Sequence, residues 1–217
     1  MIKALVFDMD GLIFDSERIV QRSWEDVGNI LGIPHMGGHI YNTLGMNAAA
    51  RKIYFSEAVG ADFPYEEFRS LTSLRFREIV EKEGLLVKPG AEELMACAKD
   101  RGLKLAVATS SSRKYASRNL KEADLYRYFD SFVYGDMVHH AKPDPEIYLM
   151  ACSALGVNPA QAVALEDSPG GIRSAYSAGM IPVMVPDLVQ PDEEVRELAY
   201  KVVRTLHEIP ALIEELS

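Results

Sequence analysis

The chain has 217 residues, enough for one domain carrying a modest insert and enough to bury a substantial core. Hydrophobic residues make up 48% and charged residues 25%, the balance of an ordinary soluble globular protein. A net charge of −9 with no long basic run argues against nucleic acid or an anionic membrane as partner, so an anionic substrate needs a local positive centre, such as a metal ion or a well-placed lysine.

The first apolar run, residues 4–7, stops at two aspartates one residue apart, Asp8 and Asp10, in "DMDGLIFDSE". Cut there, it is too short for a signal peptide or a membrane span, and a cytoplasmic location is expected. From Ser16 to Gly84 no strand signal occurs. Val20, Trp24, Val27 and Leu31 share one helical face, Phe68, Leu71 and Ile79 suggest another, and "GIPHMGG" is a breaker-rich connection. A helical insert is therefore expected directly after the first strand, with residues 1–15 and 84–217 forming the core and 16–83 the insert. Further on, residues 105–108, 132–134, 162–165 and 181–185 read as strands. Helical stretches fall at 91–101, 113–123, 145–155 and 169–178, with a last helix near 206–216. Nearly all-apolar strands alternating with helices predict an α/β fold: a doubly wound, Rossmann-like parallel sheet with right-handed crossovers. There is no internal repeat. Cys97 and Cys152 lie in helical stretches and read as buried thiols in a reducing compartment rather than as a disulfide.

Open parallel sheets bind ligands just beyond the carboxyl ends of their strands. The first strand delivers Asp8 and Asp10 there, and the second delivers Thr109 and Ser110 in "AVATSSS". After the third comes "HAKPDPEIY", with Lys142 ahead of a helix start, and the fourth ends in Glu166 and Asp167 in "VALEDSPGG". Each piece has a structural explanation when taken singly. Apolar runs often end in Asp, Thr109 can cap a helix, Lys142 can be solvated, and Ser168-Pro169 is a good helix start. Agreement at consecutive strand ends points instead to one site.

These pieces resemble the motifs of the haloacid dehalogenase superfamily, and the helical insert resembles its cap. "DMDGLIFDSE", "KPDPEIY" and "EDSPGGI" are similar in particular to the branch containing β-phosphoglucomutase and small sugar-phosphate phosphatases. The resemblance implies that Asp8 is a nucleophile forming an aspartyl phosphate. It implies that Asp10 is the acid and base and lends its backbone carbonyl to a metal. Gly11 then bends the chain. Asp8, Asp10 and Asp167 are the implied metal ligands, with Glu166 ligating through water or orienting the site. Thr109, Ser110 and Lys142 are the implied phosphate-binding residues. Each like-charge pair near 4 Å costs about 4 kcal/mol at an effective dielectric of about 20. Carboxylates beside a phosphate therefore call for a hard divalent cation, and Mg²⁺ suits that ligand set. The second aspartate separates this chain from the dehalogenase branch, because an alkoxide leaving group needs a proton and a halide does not.

The expected activity is thus a Mg²⁺-dependent phosphatase of a small phosphorylated metabolite, a sugar or polyol phosphate, working as a monomer or small homo-oligomer. A sugar-phosphate mutase is the alternative within enzymes, and a receiver-like module the alternative outside them. Where β-phosphoglucomutase has a cap histidine and a phosphate-gripping arginine, this chain has Val20 and, in "GMNAAA", Ala48. Arg51, one turn on from Ala48, is the candidate to replace that arginine, though the preferred reading is solvent-facing; His139 and His140 read as solvated, and Trp24 and Phe7 as packing. Ser111, Arg113 and Lys114 read as a helix start.

Overall fold

The computed structural model describes residues 1–44, 46 and 48–216, with Ala48 described by its backbone alone. At its centre lies a six-stranded sheet, in the order β3-β2-β1-β4-β5-β6, with all strands parallel. The strands are β1 (Ala4–Phe7), β2 (Lys104–Thr109), β3 (Ser131–Tyr134), β4 (Ala162–Glu166), β5 (Ile181–Met184) and β6 (Lys201–Val202). The helices are α1 (Glu17–Ile30), α2 (Ala48–Ala58), α3 (Tyr65–Glu83), α4 (Ala91–Asp100), α5 (Arg113–Glu122), α6 (Glu146–Leu155), α7 (Pro169–Ser177), α8 (Glu193–Leu198) and α9 (Ile209–Glu215). The doubly wound parallel core and the inserted helices are as the sequence predicts. It does not predict α8 and β6. A two-residue strand carries too short an apolar run to register, although Asp192 caps α8 by accepting from the Val195 N–H.

Residue size sorts the two faces of the sheet. Leu5, Phe7, Leu105, Val107, Val163 and Leu165 pack on one side against α4, α5 and α9. Ala4, Val6, Ala106, Ala108, Ala162 and Ala164 face α6 and α7 on the other. The alternation of large and small side chains is the period-two signature of strands buried on both faces. Burying each large apolar side chain contributes about 1.5–3 kcal/mol.

Between β1 and α4 the chain builds α1 to α3, which share a separate apolar cluster of Trp24, Val27, Met36, Ile40, Phe55 and Phe68. Phe55 lies at its middle, with ring centroids 5.3 Å from Trp24, 5.2 Å from Phe63 and 5.5 Å from Phe68. The breaker-rich connection after α1 folds as a 3₁₀ helix, Met36–Asn42, which seals this cluster with Met36 and Ile40. The two chain crossings into the helical layer run side by side. Asp15 donates its N–H to the Leu86 carbonyl at 2.9 Å, and Lys88 donates to Ile13 at 2.8 Å. Asp187, half-buried in the loop after β5 with its side chain covered, accepts from Arg18 at 2.7 Å and Lys88 at 2.6 Å, tying both crossings to the core. Both cysteines are free thiols. Among the described residues, no helix is long and apolar enough to cross a membrane.

Candidate active site

Strand register brings the site together. Phe7 of β1 pairs with Val107 of β2 and Leu165 of β4. The residues after Phe7, Val107 and Leu165 therefore emerge on one rim, and Asp8 still bonds through its N–H to the Leu165 carbonyl at 2.9 Å.

Lys142, 6% exposed, sits under that rim. Its ammonium donates to Asp8 Oδ1 and Glu166 Oε1, each at 2.6 Å, and to the Ala108 carbonyl at 3.0 Å. Glu166 is wholly buried and satisfied. Its Oε1 also accepts from the Tyr148 hydroxyl at 2.7 Å, and its Oε2 from the Ser168 hydroxyl at 3.0 Å. The same Ser168 oxygen caps α7 by accepting from the Gly171 N–H at 3.1 Å. A carboxylate oxygen from each of Asp8, Glu166 and Asp167 lies within 4.8 Å of the others.

Electrostatics follow from that crowding. Burial pushes the Asp8 carboxyl up to about 7, with Lys142 opposing and Glu166 reinforcing the rise. Burial, then the neighbouring Asp8 and Glu166, pushes Asp167 well above the usual carboxylate range. For Lys142, burial works to depress the ammonium, but the charges of Asp8 and Glu166 outweigh it and hold it above its ordinary value. Three buried oxygen-donor carboxylates in reach of one point are the donor chemistry of a hard divalent cation. The backbone makes room for this arrangement. Gly11 turns at φ +82°, and a Cβ there would fall 2.2 Å from Asp167 Oδ2.

Asp10 has different surroundings. Its carboxylate accepts from the hydroxyls of Ser16 at 2.9 Å, Ser111 at 2.7 Å and Tyr115 at 3.4 Å. Thr109 is buried, and its Oγ1 accepts from the Ser111 N–H at 3.1 Å. Asp8, Asp10, Thr109, Ser110, Lys142 and Asp167 all line a cavity of about 810 Å³ between the sheet rim and the helical layer.

The layer contributes Val20, Trp24, Phe76 and Arg51 to the opposite wall. Arg51 is not solvent-facing. It lies over the Trp24 ring at 5.6 Å and donates from Nη2 to the Met46 carbonyl at 2.9 Å. Its buried Nε has no hydrogen-bond partner among the described residues. The sequence pattern misses this because α2 has no clear apolar face from which to infer direction. Ser111 is more than a helix start, as its bond to Asp10 shows. Glu17, in the first turn of α1, also faces the cavity. Burial and the nearby Asp10 push its carboxyl up to about 8. In "DSE" it reads as a helix-start acid, so nothing in the pattern marks it. His140 is exposed and bonds Glu146 at 3.0 Å, away from the cavity. Trp24 and Phe7 are packing residues, although Trp24 also borders the cavity. The Ala48 side chain lies outside the described residues.

A lysine-bridged carboxylate cluster on the rim of a parallel sheet, facing a helical cap across a cavity, defines an enzyme equipped for phosphoryl hydrolysis. Residues 2–179 match the family model of the haloacid dehalogenase-like hydrolases, and the chain belongs to that family. It is 39% identical over 194 residues to YhcW of Bacillus subtilis (strain 168), covering 87% of this chain and 86% of that protein. It is 32% identical over 213 residues to a phosphorylated carbohydrates phosphatase of Thermotoga maritima, covering 98% and 91%. The crystal structure of CbbY from Rhodobacter sphaeroides in complex with phosphate superposes with a TM-score of 0.79 at 29% identity, covering 96% of each chain.

Proposed function

We propose that the protein is a Mg²⁺-dependent phosphatase that hydrolyses a small sugar or polyol phosphate through an aspartyl phosphate. The observation carrying this reading is the Lys142 ammonium, 2.6 Å from both Asp8 and Glu166, two carboxylates that cluster with that of Asp167. The Thermotoga relative, a phosphatase of phosphorylated carbohydrates by name, supports the substrate class.

Asp8 is the nucleophile. Lys142 occupies its Oδ1, which leaves Oδ2 to attack phosphorus as the phosphorus–oxygen bond to the leaving group breaks. Asp10 gives its proton to the departing oxygen and then takes one from the water that cleaves the aspartyl phosphate. Thr109 and the Ser110 N–H hold phosphoryl oxygens, and Lys142 balances their charge. Asp8, Asp167 and the Asp10 carbonyl would hold Mg²⁺. Glu166, already bonded on both oxygens, orients Lys142 and the rim. When bound, the cation supplies charge neutralisation between these carboxylates and the phosphoryl group. Residues 16–83 form the cap, which moves to exclude water and reads the rest of the substrate. The free thiols fit a reducing, cytoplasmic setting.

The direct test is phosphate release from p-nitrophenyl phosphate and a panel of phosphorylated metabolites with Mg²⁺. Asp8→Asn abolishes turnover, and Asp10→Asn lowers it and accumulates phosphoenzyme. Wild-type rates in either variant overturn these roles. Arg51 favours a second reading, because its Nε, without a hydrogen-bond partner among the described residues, lies in a side chain on the cavity wall and suits a second anionic group and hence a mutase. Interconversion of glucose 1-phosphate and 6-phosphate, primed by the bisphosphate, would decide for it.

A further inference from the structure

The Asp10 carboxylate is held by three hydroxyls that belong to different parts of the molecule. Ser16 stands at the crossing into the cap, Ser111 on the loop after β2, and Tyr115 on α5 of the core. Tyr115 has a second neighbour. Its ring meets Phe76 of α3 edge to face, with centroids 5.9 Å apart. This contact joins a cap helix to the core, and both side chains border the cavity.

We infer that Tyr115 is a positioning residue: its hydroxyl sets the Asp10 carboxylate, and its ring, lodged against Phe76, makes that setting depend on where the cap sits. The geometry supplies both halves of this coupling on one rigid side chain. A tyrosine has only two side-chain torsions, so a displacement of Phe76 that tips the ring also moves the hydroxyl. At 3.4 Å the bond to Oδ1 is the longest of the three, so a small ring movement decides whether it forms. Burial and then Asp10 itself push the phenol well above its ordinary range, so it remains a neutral donor. Cap position and the readiness of the acid are thereby linked through a contact outside the phosphate site. The inference rests on the proposed role of Asp10 as the acid.

The experiment compares two esters. A hexitol monophosphate has an alkoxide leaving group that needs a proton, whereas p-nitrophenolate departs without one. Tyr115→Phe keeps the ring against Phe76 and removes only the hydroxyl. Its kcat/KM for the hexitol ester is expected to fall about tenfold, and for the aryl ester less than about twofold. Phe76→Leu, which leaves Tyr115 intact but loosens its ring, should reproduce the selective fall in weaker form. It also serves as the test if the first variant fails to fold. Equal falls for both esters, or none, overturn the positioning role. A wild-type protein that turns over neither ester refutes the phosphatase reading itself, and this inference with it.

Discussion

Lys142 should hold the site together as well as serve it, and Lys142→Met tests this. The side chain is 2% exposed and neutralises two carboxylates at 2.6 Å. At an effective dielectric of about 20, each pair is worth about 6 kcal/mol before the cost of desolvating the ammonium is subtracted. Removing one partner of such a buried set leaves uncompensated charge and destabilises by about 3–5 kcal/mol. Methionine fills the volume of the stem, so packing changes little. In a chain of this length the loss corresponds to a Tm lower by about 6–20 °C. The assay is urea unfolding of the chelator-treated protein at two pH values. Burial pushes the Asp8 carboxyl up to about 7, so at about pH 5 it should bind a proton and no longer need the ammonium. The loss should therefore shrink by roughly half between about pH 8 and about pH 5. A loss below about 1 kcal/mol at the higher pH, or the same loss at both, would refute the view that Lys142 offsets buried carboxylate charge.

The pH dependence of the metal-free wild type follows from the same groups. Asp8 is raised in the fold from 3.8 to about 7, so the folded form binds the proton more tightly than the unfolded form. That stability is fully present below the unfolded value and is lost as pH climbs to about 7, with an upper figure of about 4 kcal/mol. Asp167 is shifted in the same direction, and saturating Mg²⁺ should flatten the curve; a metal-free Tm that rises over this window contradicts the reasoning. Gly11→Ala combines a strained φ of +82° with a Cβ driven into Asp167. It should cost about 1–3 kcal/mol in thermal melts and lower kcat/KM at least about tenfold, whereas full activity would separate Asp167 from the reaction. Ser168→Ala removes the cap of α7 together with a bond to Glu166. A loss of about 1–2 kcal/mol is expected, and a change within experimental error would mean the cap is replaced by water.

Much of the core is legible in the primary structure because strands and helices announce themselves locally. Apolar runs bounded by breakers locate five of the six strands, and Ser168-Pro169 opens α7 through chemistry contained within a few residues. Even the rim is foreseeable, since a parallel sheet sends every strand's carboxyl end the same way. The short edge strand β6 and its helix α8 escape because their local signal is weak. Cap side chains escape for a different reason: a helical pattern states which residues share a face, not what that face meets. Arg51 and Glu17 are ordinary surface-type residues until the fold turns them toward a common cavity.

The sequence by itself determined the fold class, the place of the helical insert and the set of acids, hydroxyls and lysine assembled at the strand ends. Only the tertiary structure decided that Lys142 reaches Asp8 across 134 positions, that Glu166 is bonded on both oxygens, and that Tyr115 stands between Asp10 and Phe76. The reason is physical. Secondary structure follows from neighbours a few residues apart, whereas a contact between distant side chains depends on strand register, helix rotation and rotamer choice, which are fixed only when the whole core packs.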